Sequence, residues 1–230
     1  NEFNIKLEEA QDNLIMRNSY ASLHEQQWKD LPSVFIKGEK VPTWLQILLS
    51  QFKVYHFHDA GDKSPMKGWS KLHDNTFLRY DGENIAAFLY FLQEKHPKHF
   101  KRIEMNVKAV SPFFDSFNLK PNRLNEETIR LEWKQKGAED TYFNAYQLSD
   151  GTLRFICLAT LLLQPEPPQT IIIDEPELGL HPQAINRLAT LIKKVSTKSQ
   201  VIISTQSVNL VDNFDADDII ADIEQALAKM

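Results

Sequence analysis

The stretch Thr170–Glu177 (Thr-Ile-Ile-Ile-Asp-Glu-Pro-Glu) constrains the fold of this chain more than any other. Three consecutive β-branched residues, Ile171 to Ile173, run straight into two adjacent carboxylates, Asp174 and Glu175. A short continuous apolar run bounded by turn residues suits a strand buried on both faces, as in a parallel sheet. Pro167 and Pro168 punctuate its start and Pro176 its end. Ligands of open parallel sheets collect at the carboxyl ends of the strands, which is where both acids fall. One acid there can hold a cation while the other polarises a water.

The segments around this strand extend the same architecture. Pro182 opens a helical pattern in which Ile185, Leu188, Ala189, Ile192 and Val195 share one face, and Gln200–Ser204 reads as another buried strand. Strand, helix and strand in this spacing form a βαβ unit. Upstream, Thr152–Leu163 is apolar enough for a deeply buried helix, ended by Pro165, Pro167 and Pro168. Ile129, Leu131 and Trp133 alternate with charged residues as one strand, joined through Lys136–Asp140 to a hairpin partner at Thr141–Ala145. Ile85, Phe88, Leu89 and Leu92 mark a helix that stops before Pro97. A second helix starts at Pro97 and carries Phe100, Ile103, Val107 and Val110 on one side. Nearer the amino end, short strands are expected at Phe3–Leu7 and Leu14–Met16, and a short helix over Thr43–Ser50. Ala221–Met230 reads as weakly helical.

Charge and cysteine usage exclude several classes. A formal charge of −5 over 230 residues argues against a generally basic nucleic-acid binder, although Lys95–Arg102 is a local basic stretch. That stretch reads either as a solvated helix start or as a phosphate contact. The single cysteine, Cys157, excludes an intramolecular disulfide and sits among apolar neighbours as a core residue would. No apolar run reaches the ~18 residues of a membrane-spanning helix, and no signal-peptide pattern occurs. A cytoplasmic protein is expected, and a start at Asn1 rather than Met suggests a piece of something longer.

Three elements have a physical use at a phosphate site. In Leu148-Ser-Asp-Gly-Thr-Leu-Arg154, the Ser149 hydroxyl, the Gly151 amide and the dipole of the following helix can receive an anion. Asp174 can hold Mg²⁺ directly or through water, and Glu175 can orient an attacking water. Gln206, in Ile203-Ser-Thr-Gln-Ser207, can reach the same water or a terminal phosphate. A separate group, His56, His58, Asp59, His73 and Asp74, reads either as a metal site or as loop and strand-end residues in ordinary hydrogen bonds.

These elements resemble the carboxyl-terminal half of an ABC-type ATPase head of the RecF/SMC-like predicted AAA ATPase group. Leu148–Thr152 is similar to the ABC signature, Ile171–Glu175 to Walker B with its catalytic glutamate, and Pro176–Pro182 to the D-loop. Ser204–Ser207 is similar to the switch strand, with Gln206 where histidine is usual. The resemblance implies an α/β P-loop NTPase fold with a parallel core sheet and an inserted, mostly helical subdomain. It divides the chain into a β-rich remnant of the amino-terminal ATPase lobe (1–55), a helical lid insertion (56–125) and the carboxyl-terminal lobe (126–230). ATP and Mg²⁺ are the implied cofactors, with Asp174 as the metal residue and Glu175 and Gln206 as the catalytic pair. Ser149, Asp150 and Gly151 would meet, in trans, the nucleotide of a second head, and Gly179, Leu180 and His181 would cross the interface of a homodimer or higher oligomer. His181 is read as an interface or capping residue rather than a base. Closure would act on nucleic acid or on an effector protein such as a nuclease, in DNA repair or antiviral defence. The alternative is a nucleotide-gated scaffold with little hydrolysis that holds a nuclease or toxin partner.

One departure bears on all of this. The seven glycines lie at 38, 61, 68, 82, 137, 151 and 179, and none precedes a lysine, so the G-x-x-x-x-G-K-[ST] phosphate loop does not occur in these residues. An amino-terminal segment is expected to supply it.

Overall fold

The two strands that flank the acidic turn lie parallel and in register. β9 (Thr170–Asp174) pairs with β10 (Gln200–Ser204) so that Ile171 faces Val201, Ile173 faces Ile203 and Asp174 faces Ser204. The connection between them is α4 (Pro182–Val195), the helix that the apolar spacing predicts. This computed structural model describes residues 52–138 and 141–220 together with β1 (Phe35–Ile36) and β2 (Glu39–Lys40). The expectations for Phe3–Leu7, Leu14–Met16, Thr43–Ser50 and Ala221–Met230 lie outside the described residues. The chain forms two units, Asn1–Phe52 and Lys53–Met230. In the first, β1 and β2 pair antiparallel.

The second unit holds the core. Its sheet has the order β10-β9-β3, with β3 at Phe52–Tyr55. Ile171 and Ile173, which share one face of β9, are fully buried in it, whereas Ile172 on the opposite face is only partly covered, so the expected burial on both faces is incomplete. The longest buried element is α3 (Asp150–Leu163), which packs against α2 (Pro97–Val110) and α4. α1 (Ile85–Lys95) ends at His96 because the next residue is Pro97, whose ring opens α2. Cys157 is fully buried on α3, where loss of solvation pushes its thiol well above the usual range, so it is a core residue and not a nucleophile.

Two expectations need correction. β10 is not a buried strand: Ile202 is 46% exposed. Among the described strands only β9 flanks it, so Val201 and Ile203 are only partly covered by the core. The predicted single strand around Ile129–Trp133 is two strands in different sheets. β6 (Thr128–Arg130) pairs antiparallel with β4 (Trp69–Lys71), whereas β7 (Glu132–Gln135) lies between β5 (Phe114–Phe117) and β8 (Tyr142–Asn144). The chain changes partners at Leu131. Ile129, Leu131 and Trp133 nevertheless all stay buried, because alternation of apolar residues records the inward face and not the hydrogen-bonded neighbour. The hairpin itself forms, with Trp133 opposite Phe143 and their ring centroids 5.1 Å apart.

Ahead of α1, the fully buried Asn84 closes the loop that precedes it. Its side-chain amide donates to the carbonyls of Asp74 (2.9 Å) and Phe77 (2.8 Å), and its Oδ1 accepts from the Arg79 amide (2.9 Å). All its polar valences that point inward are matched, as burial demands.

Candidate active site at the end of the central strand

Asp174 is the last residue of β9, and its Oδ1 accepts a hydrogen bond from the Ser204 hydroxyl at the matching position of β10. Glu175 continues the ladder by one rung, its amide donating to the Ser204 carbonyl at 2.9 Å. The chain then turns abruptly, and Glu175 takes φ of 40°, the one non-glycine residue with positive φ among those described. Such a backbone costs about 1–3 kcal/mol and persists only where neighbours hold it. Here the Leu178 amide closes the turn onto the Glu175 carbonyl at 3.1 Å. The Gln206 side-chain amide reaches Glu175 Oε1 at 3.4 Å, so the predicted water-orienting acid and the predicted switch residue meet. Beside them, the Thr205 hydroxyl donates to Glu177 Oε1, while Glu177 Oε2 is buried without a hydrogen-bond partner.

The opposite wall comes from the segment after β3. The His58 Nε2 lies 2.7 Å from the Asp174 carbonyl oxygen; a carbonyl only accepts, so Nε2 carries the proton. Arg154 holds this wall to the rest of the site. Its Nε donates to the Phe57 carbonyl (3.1 Å), one terminal nitrogen to the His58 carbonyl, and the other to the Leu178 carbonyl (2.8 Å). One guanidinium on α3 therefore fixes both the histidine segment and the turn after β9. Phe57, His58, Arg154, Asp174 and Glu175 line a small pocket at this point.

The signature-like loop lies at the start of α3 and is organised differently. Ser149 is the N-cap: its Oγ accepts from the Thr152 amide (3.2 Å) and sits 2.8 Å from the Thr152 hydroxyl, rather than meeting either acid. Asp150 pairs at 3.4 Å with Lys67, whose side chain is only 4% exposed. Gly151 lies directly under the turn at Gly179. A Cβ placed on it would stand 2.2 Å from the Gly179 carbonyl oxygen, closer than any atoms can pack. Gly179 has φ of 75°, and a Cβ there would stand 2.7 Å from a terminal nitrogen of Arg154. Both positions thus require glycine, one for close approach and one for backbone conformation as well. Leu180 packs partly against the core. His181 caps α4, its Nδ1 accepting from the Ala184 amide (3.3 Å) and its Nε2 bonded to the Val110 carbonyl (3.1 Å).

The structure therefore joins Asp174, Glu175 and Gln206 in one group, and Ser149, Asp150, Gly151 and Gly179 in another, with Arg154 bonded to the His58 carbonyl beside the first and the Leu178 carbonyl beside the second. It also redraws the metal reading. Asp59 uses Oδ1 to accept the Gly61 amide, and Asp74 is taken by Arg79 at 2.7 Å. His56 and His58 instead approach Asp174. Sequence reasoning assigned no role to Arg154, Ser204 or His58 at the acids. The signal for Arg154 was present: it is the only charged residue in an otherwise apolar run from Thr152 to Leu163. As a donor set, the carboxylates of Asp174 and Glu175 are hard oxygens suited to Mg²⁺.

Known proteins resemble this chain in sequence and in fold. Residues 15–212 match the family described as "AAA domain, putative AbiEii toxin, Type IV TA system". The energy-coupling factor transporter ATP-binding protein EcfA2 of Streptococcus agalactiae is 24% identical over 203 residues, which cover 87% of this chain and 62% of the relative. The probable ABC transporter ATP-binding protein p29 of Mesomycoplasma hyorhinis is 32% identical over 106 residues, 45% of this chain and 41% of the relative. The chain thus spans about 62% of the length of the EcfA2 relative. Among solved structures, an Smc head bound to the C-winged helix domain of ScpA is similar with a TM-score of 0.50 at 20% identity, covering 79% of this chain and 58% of that one. The fold is accordingly the α/β P-loop ATPase head of the ABC, RecF and SMC type.

Proposed function

The chain belongs to the family described as "AAA domain, putative AbiEii toxin, Type IV TA system", and from that premise we propose that it forms the carboxyl-terminal part of an ATP-hydrolysing head. The observation that carries this reading is the acid pair at the end of β9, with Glu175 held in a turned backbone and contacted by Gln206. Asp174, braced by Ser204, is the residue that would hold Mg²⁺, which when bound neutralises charge on the transferred phosphate. Glu175 orients water for attack on the terminal phosphate. Gln206 supplies a neutral amide, which hydrogen-bonds water or phosphate but takes up no proton.

Ser149 and the first turn of α3 are read as the surface that closes on a nucleotide held by a second head, so that ATP bridges two copies. Gly179, Leu180 and His181 belong to the same interface. The helices between β4 and β5 serve as the lid insertion, and closure is coupled to nucleic acid or to an effector protein in a repair or defence role. Among the described residues no helix is long and apolar enough to cross a membrane.

The test is Glu175→Gln in the protein that carries this chain. Phosphate release falls by about 10²-fold or more, the scale of a lost proton-transfer or water-orienting group, while ATP-dependent dimers accumulate. Unchanged turnover refutes the assignment. A second reading, a nucleotide-gated scaffold that binds ATP without useful hydrolysis, is favoured by the uncharged Gln206. Under it the wild-type protein dimerises with ATP and releases no phosphate above the Glu175→Gln background.

A further inference from the structure

The chain runs on without helix or turn past the end of β3, and alternate residues face alternate sides. Phe57 is buried, and the half-buried His56 and His58 flank it with ring centroids 6.0 Å apart at an interplanar angle of 76°. One ligand atom from each of His56, His58 and Asp174 lies within 4.8 Å of the other two. We propose that these three residues form a binding site for a borderline divalent transition-metal ion of the Zn²⁺ class, separate in chemistry from the oxygen-ligated Mg²⁺ that a nucleotide carries.

Three observations support it. The first is the donor set. Two imidazoles and one carboxylate suit Zn²⁺ and its neighbours in the transition series, whereas Mg²⁺ takes oxygen ligands and keeps much of its water. Three protein ligands with further positions open to water is the pattern of accessible rather than closed zinc sites.

The second is the tautomer of His58. Its Nε2 proton is committed to the Asp174 carbonyl at 2.7 Å, so Nδ1 keeps its lone pair. A ring nitrogen hydrogen-bonded to a backbone carbonyl is the outer support that metal-ligating histidines regularly have. The third is the bracing of the backbone: Arg154 grips the Phe57 and His58 carbonyls, and Ser204 holds one oxygen of Asp174. Coordination at ~2.1 Å places tetrahedral ligand atoms ~3.4 Å apart. Side-chain rotation by about an ångström therefore closes the trio around an ion.

Because Asp174 is shared, an ion held here withdraws that carboxylate from the nucleotide's Mg²⁺, and transition metal and ATP turnover oppose each other. That consequence rests on the proposed function; the site itself does not. The test is accordingly made without nucleotide. The purified protein is titrated with Zn²⁺ by calorimetry and with Co²⁺ by visible absorption, where imidazole ligation in a low-coordinate site gives an intense spectrum. One ion binds per chain, and His56→Gln and Asp174→Asn each weaken Zn²⁺ by at least about tenfold, with melting temperature monitored to confirm the fold. His96→Gln, remote in sequence on the α1–α2 junction, leaves the affinity unchanged. Equal Zn²⁺ affinity in wild type and His56→Gln, or no Co²⁺ spectrum beyond that of the hydrated ion, overturns the site. A protein that passes this test yet releases no phosphate from ATP refutes the hydrolytic reading alone.

Discussion

The carboxyl end of β9 and the first turn of α3 are both rich in polar side chains, yet they are held in different ways. At β9 the polar groups of distant segments brace one another: Ser204 on Asp174, Gln206 on Glu175, His58 on the Asp174 carbonyl. At α3 Ser149 is spent on its own helix and Asp150 on Lys67, 83 residues away, and it is backbone, the Gly179 carbonyl, that fills the space above Gly151. An arrangement of the first kind fixes side chains relative to one another, and one of the second kind fixes backbone against backbone. Arg154, on α3, ties the Phe57 segment that faces β9 to the turn that follows it.

The contrast can be broken by experiment, beginning where the effect is largest. Gly151→Ala forces a methyl against a backbone oxygen, so it lowers unfolding stability by about 3 kcal/mol, at the upper end of overpacking costs. An unchanged denaturation midpoint means that α3 and the D-loop are not in contact. Arg154→Lys keeps the charge but loses the fork that reaches three carbonyls. We expect a loss of about 2 kcal/mol by chemical denaturation, together with raised hydrogen exchange at both Phe57–His58 and Leu178–Leu180. Exchange raised on one side only shows that the two regions are independent. Ser149→Ala removes the cap and costs about 1 kcal/mol; if phosphate release in the protein falls far more than that loss of stability explains, the hydroxyl meets nucleotide as well. Smallest is Glu175→Gly, which relieves the positive φ and raises the melting temperature, by a free energy of about 1 kcal/mol, while abolishing turnover. No gain in stability indicates that the carboxylate's own contacts offset the strain.

What could be read from the sequence follows from the range over which each signal acts. β9, α4 and β10, α3, and the α1–α2 pair were all legible, because apolar periodicity and the prolines at 97, 167, 168 and 182 act within a few residues. The partner change at Leu131 was not, since alternation is indifferent to which strand lies alongside. Nor was the exposure of β10, which depends on what flanks it. At the site, Asp174, Glu175 and Gln206 could be gathered from motif order. The partners of His58 and Arg154 could not: His58 meets Asp174 across 116 residues of sequence, and Arg154 meets Phe57 across 97. The histidines were recognised as candidate ligands, but proximity in sequence suggested Asp59 and Asp74 as their companions when the fold supplies Asp174.

The glycine pair at 151 and 179 also has a mechanical consequence. Side chains in contact can yield by rotating about their bonds, and a displacement on one side is partly absorbed before it reaches the other. Between Gly151 and the Gly179 carbonyl there is no side chain to rotate. A displacement of the turn toward α3 therefore meets helix backbone directly, with no side chain between them to absorb it. Arg154, one turn along the same helix, adds a second tie to that turn through the Leu178 carbonyl.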